Sequence, residues 1–180
     1  MNDVIQGGNM TEVWNAYDLN RNQLPHLLVR GEKIPEGQFH LCVNVLVRHQ
    51  DGDILFMRRS ANKSLYPGYY EFGAGGSVLA GEDSQTAALR ELEEETGYTG
   101  ELELLYDFYS AIGFCNERIK LYSASHLTKV ENPRPQDEDE TLELHEVTLE
   151  EAKALLASGD ICDAKTIIAL QYWEMKMNRR

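Results

Sequence analysis

Apolar and polar positions change their period several times along this chain, and each change marks an element. The segment Phe39–Arg48 (FHLCVNVLVR) is a near-continuous apolar run bounded by turn residues, which predicts a buried strand. Asp51-Gly52 follows as a hairpin signal, with Ile54–Arg58 as the returning strand. Thr11–Tyr17, Leu102–Ala111, Arg118–Leu127 and Leu142–Thr148 have strand-like composition as well. Helical spacing appears over Ser84–Thr96, with Asp83 or Ser84 to cap its start and Gly97 to stop it. Thr148 and Glu151 make a capping-box pattern for a helix over Leu149–Ala157, and Asp163 caps a last helix over Ala164–Met177. Gln23–Gln38, Asn62–Gly81 and Glu131–Glu140 carry enough Pro, Gly or acid to read as loops. Strands dominate the middle and helices punctuate it, so the expected class is α+β.

Composition narrows the function. The 180 residues suit one domain, with residues 1–38 as an N-terminal strand or extension and 39–180 as the main body. Lys and Arg number 17 against 30 Asp and Glu, a formal net charge of -13, so a role coating nucleic acid is excluded for want of a basic footprint. Carboxylates can still recruit divalent cations, which in turn hold phosphates. Cys42, Cys115 and Cys162 are widely spaced and form no zinc pattern, as expected of reduced thiols in a cytoplasmic protein. No apolar run approaches the roughly 18–20 residues of a membrane span, and Met1–Met10 is too polar for a signal peptide.

The acidic helix carries the chemistry. At about 100° per residue, Glu91, Glu94 and Glu95 share one arc of roughly 100°, beside the arc of Ala88, Leu89 and Leu92. Glu93 points about 160° from Glu91 and is expected in solvent. Three crowded acids near a helix C-terminus repel one another and oppose the helix dipole. Arg90 can pair with Glu91 or Glu94, but one guanidinium cannot neutralise three carboxylates. A hard divalent cation is the natural complement; a merely solvated acidic face is the alternative. Gly75-Gly76 lets backbone approach the carboxylates, so a carbonyl there could add a ligand.

The run GSVLAGEDSQTAALRELEEETGY resembles the Nudix box, the signature of the Nudix hydrolases. Gly76, Glu82, Arg90, Glu91, Leu92, Glu94, Glu95 and Gly97 meet its fixed positions; Tyr98 stands where a smaller aliphatic residue is usual. The resemblance implies a mixed β-sheet sandwiched between α-helices and Mg²⁺-dependent hydrolysis, with Mn²⁺ as the alternative metal. It implies that Glu91, Glu94 and Glu95 bind metal or activate water, with the carbonyl of Ala74 or Gly75 as an extra ligand. Arg90 is then expected to orient the glutamates and Glu82 to brace the loop.

Ser110–Arg118 (SAIGFCNER), the acidic loop Asp137–Glu140 and Gly159–Leu170 (GDICDAKTIIAL) are similar to ADP-ribose pyrophosphatases. That similarity makes Glu138 and Glu140 candidates for a base or extra ligand, brings Glu117 near metal or substrate, and implies a homodimer. Ile112 replaces the proline usual there. The first half, with WNAYDLNRN and RRSANKSLYPGYYEF, is similar instead to the Nudix group related to isopentenyl diphosphate isomerase. That enzyme's cysteine before the box has no counterpart between Ile54 and Tyr98, so hydrolysis is preferred over isomerisation. Arg58, Arg59 and Lys63 are candidates for substrate charge, and Tyr66, Tyr69, Tyr70 and Phe72 for a stacked base. The expected partner is a small nucleoside diphosphate derivative, ADP-ribose or an ADP-sugar first. The contrasting expectation is a Nudix module that binds ligand without turnover.

Overall fold

The computed structural model describes residues 12–49, 51–62, 66–111, 117–135 and 142–178. A small antiparallel sheet pairs β1 (Val13–Tyr17) with β2 (Gln23–Val29). A four-stranded mixed sheet is ordered β6 (Ala74–Ser77), β3 (Leu41–Val47), β8 (Arg118–Lys129) and β7 (Tyr98–Tyr109), with β3 and β8 parallel. A three-stranded antiparallel sheet is ordered β5 (Tyr70–Phe72), β4 (Ile54–Arg59) and β9 (Leu142–Val147). The helices are α1 (Ser84–Thr96), α2 (Leu149–Ser158) and α3 (Ala164–Met177). None of the described helices is long and apolar enough to cross a membrane.

Alternation along β3 and β8 divides the core in two. Val43, Val45, Val47, Tyr122 and Ala124 pack with Ala87, Ala88 and Leu92 of α1. Leu46 and Leu121 point the other way, onto Phe56 and Phe72 of the three-stranded sheet and onto Leu170 and Trp173 of α3. The architecture is thus α+β, sheets held between α1 on one side and α2 with α3 on the other. Trp14, Ala16 and Leu28 of the hairpin form a third cluster, packed on Leu79.

The three helices start and stop where their caps require. Asp83 accepts the Thr86 amide, Thr148 and Glu151 form the reciprocal capping box, and Asp163 accepts the Thr166 amide. Gly97 and Gly159 close α1 and α2 in the left-handed conformation.

Three loop or hairpin expectations need correction. Residues 23–29 form a strand, with Pro25 tolerated where the β1–β2 register shifts between Asn15 and Tyr17. The turn at Asp51-Gly52 forms, its His49 amide on the Asp53 carbonyl at 2.8 Å, yet β3 and β4 separate after one bridge, Arg48 to Ile54. Both edges of β3 are already taken by β6 and β8, so β4 pairs with β5 and β9 instead. The expected long loop Asn62–Gly81 contains β5 and β6. Gly73, at φ 61, carries the chain from one sheet to the other, and any Cβ there would overlap the Val45 carbonyl.

Candidate active site

Helix α1 is buried along Ala87, Ala88, Glu91, Leu92, Glu95 and Thr96. Glu91 and Glu95 therefore lie inside the buried face rather than at its edge: they are 8% and 4% exposed. Leu89, expected on the core side, is only half-buried. Glu93 is not a free surface charge either; it accepts the Arg134 amide at 3.0 Å, with the Arg134 guanidinium 3.8 Å away.

Burial of acids calls for partners, and Arg90 supplies most of them. Its Nε and Nη2 donate to the two oxygens of Glu82 at 2.9 and 3.1 Å. Its Nη1 donates to Glu91 at 2.7 Å and to Glu94 at 2.9 Å, and Nη2 also reaches the Ser77 carbonyl at 2.9 Å. Burial disfavours the Arg90 cation, but hydrogen bonds and charge from Glu82, Glu91 and Glu94 outweigh it and raise the pKa above the usual arginine value. Glu82 also accepts the Leu79 amide at 3.1 Å, which ties the loop before α1 to the helix.

The glycine strand β6 closes the other side. The Gly75 amide donates to Glu95 Oε2 at 3.0 Å. A Cβ on Gly76 would overlap the Glu91 carboxylate, and one on Gly75 would overlap the side-chain amide of Asn44. Glycine is required at both positions because carboxylate and amide fill the space a side chain would take.

A second set of charges converges on Cys42, which pairs with Ser77 across β3 and β6. Burial pushes its thiol up to about 12, and the charges of Glu117 and Glu91 add to the rise while Lys165 opposes it. Lys165 donates to Glu71 at 3.0 Å and pairs with Asp163 at 2.9 Å, and Arg59 donates to Glu71 at 2.6 Å. Arg59, Tyr66, Tyr69, Tyr70, Glu71 and Lys165 line a cleft of about 440 Å³.

The structure thus brings Glu82, Arg90, Glu91, Glu94, Glu95, Gly75 and Gly76 together, pairs Arg59 with Glu71, and sets Glu117 immediately before β8, its carbonyl accepting the Ser110 amide at 3.2 Å. Arg58 lies on the opposite face of β4, exposed, donating to the Gly68 carbonyl at 3.3 Å with its guanidinium 5.8 Å from the Tyr70 ring centre. Phe72 is core, so it does not serve as a stacking surface. Lys63, Glu138 and Glu140 lie outside the described residues. Asn44, Glu71 and Lys165 were missed; an Asn inside the apolar run LCVNVLV was a usable signal for the first.

Among the described residues no group of three or more His, Cys, Asp or Glu is arranged to hold a metal. In this arrangement Arg90 takes one oxygen each from Glu91 and Glu94.

Comparison with known proteins agrees with the geometry. Residues 38–170 match the family model of the NUDIX domain. The chain is 41% identical over 136 residues to an ADP-ribose pyrophosphatase of Bacillus subtilis (strain 168), covering 75% of this chain and 72% of that protein. It is 47% identical over 159 residues to a methanol dehydrogenase activator of Bacillus methanolicus, covering 83% and 85%. The fold is similar to the crystal structure of DR0079 from Deinococcus radiodurans, with a TM-score of 0.64, 22% identity and coverage of 89% of this chain and 98% of that one. The chain belongs to the Nudix family and is a Nudix hydrolase.

Proposed function

We propose that this Nudix hydrolase cleaves the diphosphate of a nucleoside diphosphate linked to another moiety, with ADP-ribose or an ADP-sugar as substrate and Mg²⁺ as cofactor. The observation that carries the reading is the carboxylate set of Glu91, Glu94 and Glu95: Glu95 is buried on the Gly75 amide, Glu91 is buried against Gly76, and Glu94 is half-buried on Arg90. The donor set fits a hard cation, since its side chains are all carboxylates and the nearby thiol of Cys42 is held protonated. Mg²⁺ held by these glutamates and the Gly75 carbonyl, with Mn²⁺ as the alternative, would neutralise the diphosphate and act as a Lewis acid.

The chain's own residues do the rest. Arg90 fixes Glu82, Glu91 and Glu94 in one orientation, and the Gly75 amide fixes Glu95. Arg59 and Lys165, paired with Glu71, line the cleft with Tyr66 and Tyr69 and are the candidates to meet substrate phosphate. Glu138 or Glu140 is the candidate to take the proton of the attacking water, with Glu117 near metal or substrate. Water adds to phosphorus, the anhydride P–O bond breaks, and two monophosphates leave. The relative named ADP-ribose pyrophosphatase supports the substrate class. The proposal extends to a homodimer in the cytoplasm, the dimer being read by light scattering.

A panel of nucleoside diphosphate derivatives with Mg²⁺, followed by product identification, tests this. AMP with a sugar phosphate supports the reading; release of inorganic pyrophosphate, or an isomerised prenyl diphosphate, counts against it. A second reading follows from the relative named methanol dehydrogenase activator: a dehydrogenase as protein partner. An increase in dehydrogenase rate on adding this chain would favour it.

A further inference from the structure

The cleft of about 440 Å³ holds more than its charged groups. Tyr66 and Tyr69 stand in its wall, 64% and 36% exposed. Their rings meet at 5.7 Å between centres and at an angle of 80°. Such a right-angle pair leaves an inner corner, where a flat group can lie face-on to one ring and edge-on to the other. Tyr70 is already engaged: its ring packs edge-on with His145 at 5.6 Å between centres, and the Arg58 guanidinium lies over its face.

The backbone holds this corner under strain. Tyr66 has φ 50, in the left-handed region that a bulky residue rarely enters. Pro67 follows it and disfavours helical backbone at Tyr66 further. Strain of this kind persists only where the surroundings over-determine it. Here the Gly68 amide donates to the Arg59 carbonyl at 3.0 Å, the Arg59 amide to the Tyr69 carbonyl at 3.0 Å, and Arg58 Nε to the Gly68 carbonyl at 3.3 Å. The turn is thus pinned to β4. An exposed ring buries too little surface to offset the strain by packing, so the position of Tyr66 calls for another reason.

The charged lining of the cleft is balanced, Arg59 and Lys165 against Glu71 and Asp163. It can orient a polar ligand by hydrogen bonds, but it leaves further affinity to the rings. Glu71 lies four positions before Gly75, a span of at most roughly 14 Å, so one extended substrate can reach from the glycine strand into the cleft. We propose that the Tyr66–Tyr69 corner binds the nucleobase of the substrate and sets a preference for an aromatic group at that end. This rests on the hydrolytic reading above. Every base has a π face, so the corner selects aromatic over non-aromatic ends and discriminates little among bases. A volume of about 440 Å³ is within the range of small-molecule sites.

The test is calorimetry on the full chain in EDTA, with AMP and ribose 5-phosphate as probes, which differ in the base alone. AMP is expected to bind at least tenfold tighter. Tyr66→Ala and Tyr69→Ala are each expected to weaken AMP about 5- to 150-fold, the effect of losing a base–aromatic stack, and to leave ribose 5-phosphate unchanged. Tyr66→Phe keeps the ring and is expected to bind AMP as the wild type does. If Tyr69→Ala does not fold, Tyr66→Ala decides alone. Wild-type binding of the two probes with equal affinity, alanine variants that keep full AMP affinity, or an equal loss of both probes would each overturn the proposal. Turnover of ADP-ribose with Mg²⁺ is read separately. Turnover together with tyrosine-independent AMP binding overturns the corner alone. Tyrosine-dependent AMP binding without turnover of any diphosphate overturns the hydrolytic reading alone.

Discussion

The carboxylate of Glu91 occupies the space that a side chain on Gly76 would need: a Cβ there would lie 2.7 Å from Glu91 Cδ and closer still to an oxygen. Strand β6 and helix α1 therefore hold each other at a separation that only glycine permits. Gly76→Ala is expected to displace Glu91 and to cost about 1–3 kcal/mol of stability, the usual range for overpacking. Urea denaturation reads it, and hydrolysis should fall at least tenfold in the same variant. A variant with unchanged midpoint and rate would show that the two elements separate freely.

Arg90 is the cation that makes three buried or half-buried acids tolerable. Its side chain is 10% exposed and serves Glu82, Glu91 and Glu94 together. Arg90→Met leaves those acids without their partner, so the expected loss is roughly 3 kcal/mol or more. Mg²⁺ should then raise the melting temperature of the variant by more than it raises that of the wild type, because cation and guanidinium neutralise the same carboxylates. Equal metal shifts in the two proteins would argue against a shared site.

The Glu71–Lys165 pair predicts two pH limits on stability. Burial disfavours the Glu71 carboxylate, but Lys165 and Arg59 outweigh it and hold the pKa below its ordinary 4.5. Its stabilisation is present above that value and is lost as pH falls through the lower, folded one. Burial likewise disfavours the Lys165 ammonium, yet Glu71 and Asp163 raise its pKa above the ordinary 10.5. That contribution is present below 10.5 and is lost as pH rises through the higher, folded value. Glu71→Gln should flatten the acid limb of a stability–pH curve measured by denaturant unfolding. An unaltered acid limb would show that Glu71 carries none of it.

Cys42 stands within reach of the site's charges but is not built to react. Its thiol is pushed up to about 12 by burial, whereas Cys162 is exposed. A maleimide at neutral pH, followed by peptide mass mapping, should label Cys162 at least tenfold faster than Cys42. Faster labelling of Cys42 would reopen a cysteine-dependent chemistry.

Much of this was legible in the chain itself, for reasons particular residues make plain. Helix α1 has the expected bounds because Asp83 and Gly97 act locally, through bonds that span three or four positions. The Arg90–Glu94 contact was legible as a pair four positions apart on one helix face. Strands β5 and β6 were hidden because they are three and four residues long, and β6 is half glycine, so pairing partners rather than intrinsic preference create them. Strand β2 was hidden by Pro25, a breaker in most sheets and harmless at a register shift. The Glu71–Lys165 contact spans 94 positions, and no local pattern reports it. Burial of Glu91 and Glu95 escaped notice for a related reason: carboxylates read as polar until the guanidinium and amide that satisfy them are known to be there.

The central claim is that the Glu91, Glu94 and Glu95 cluster is a metal-dependent hydrolytic centre for a nucleoside diphosphate derivative. Its most direct test is the turnover of ADP-ribose with and without Mg²⁺, by the wild type and by Glu95→Gln, with products identified by chromatography. The account predicts AMP and ribose phosphate from the wild type only when metal is present. It also predicts a loss of at least 100-fold in the variant, with the fold retained by circular dichroism. Metal-independent turnover, or a Glu95→Gln rate equal to that of the wild type at saturating Mg²⁺, would contradict it.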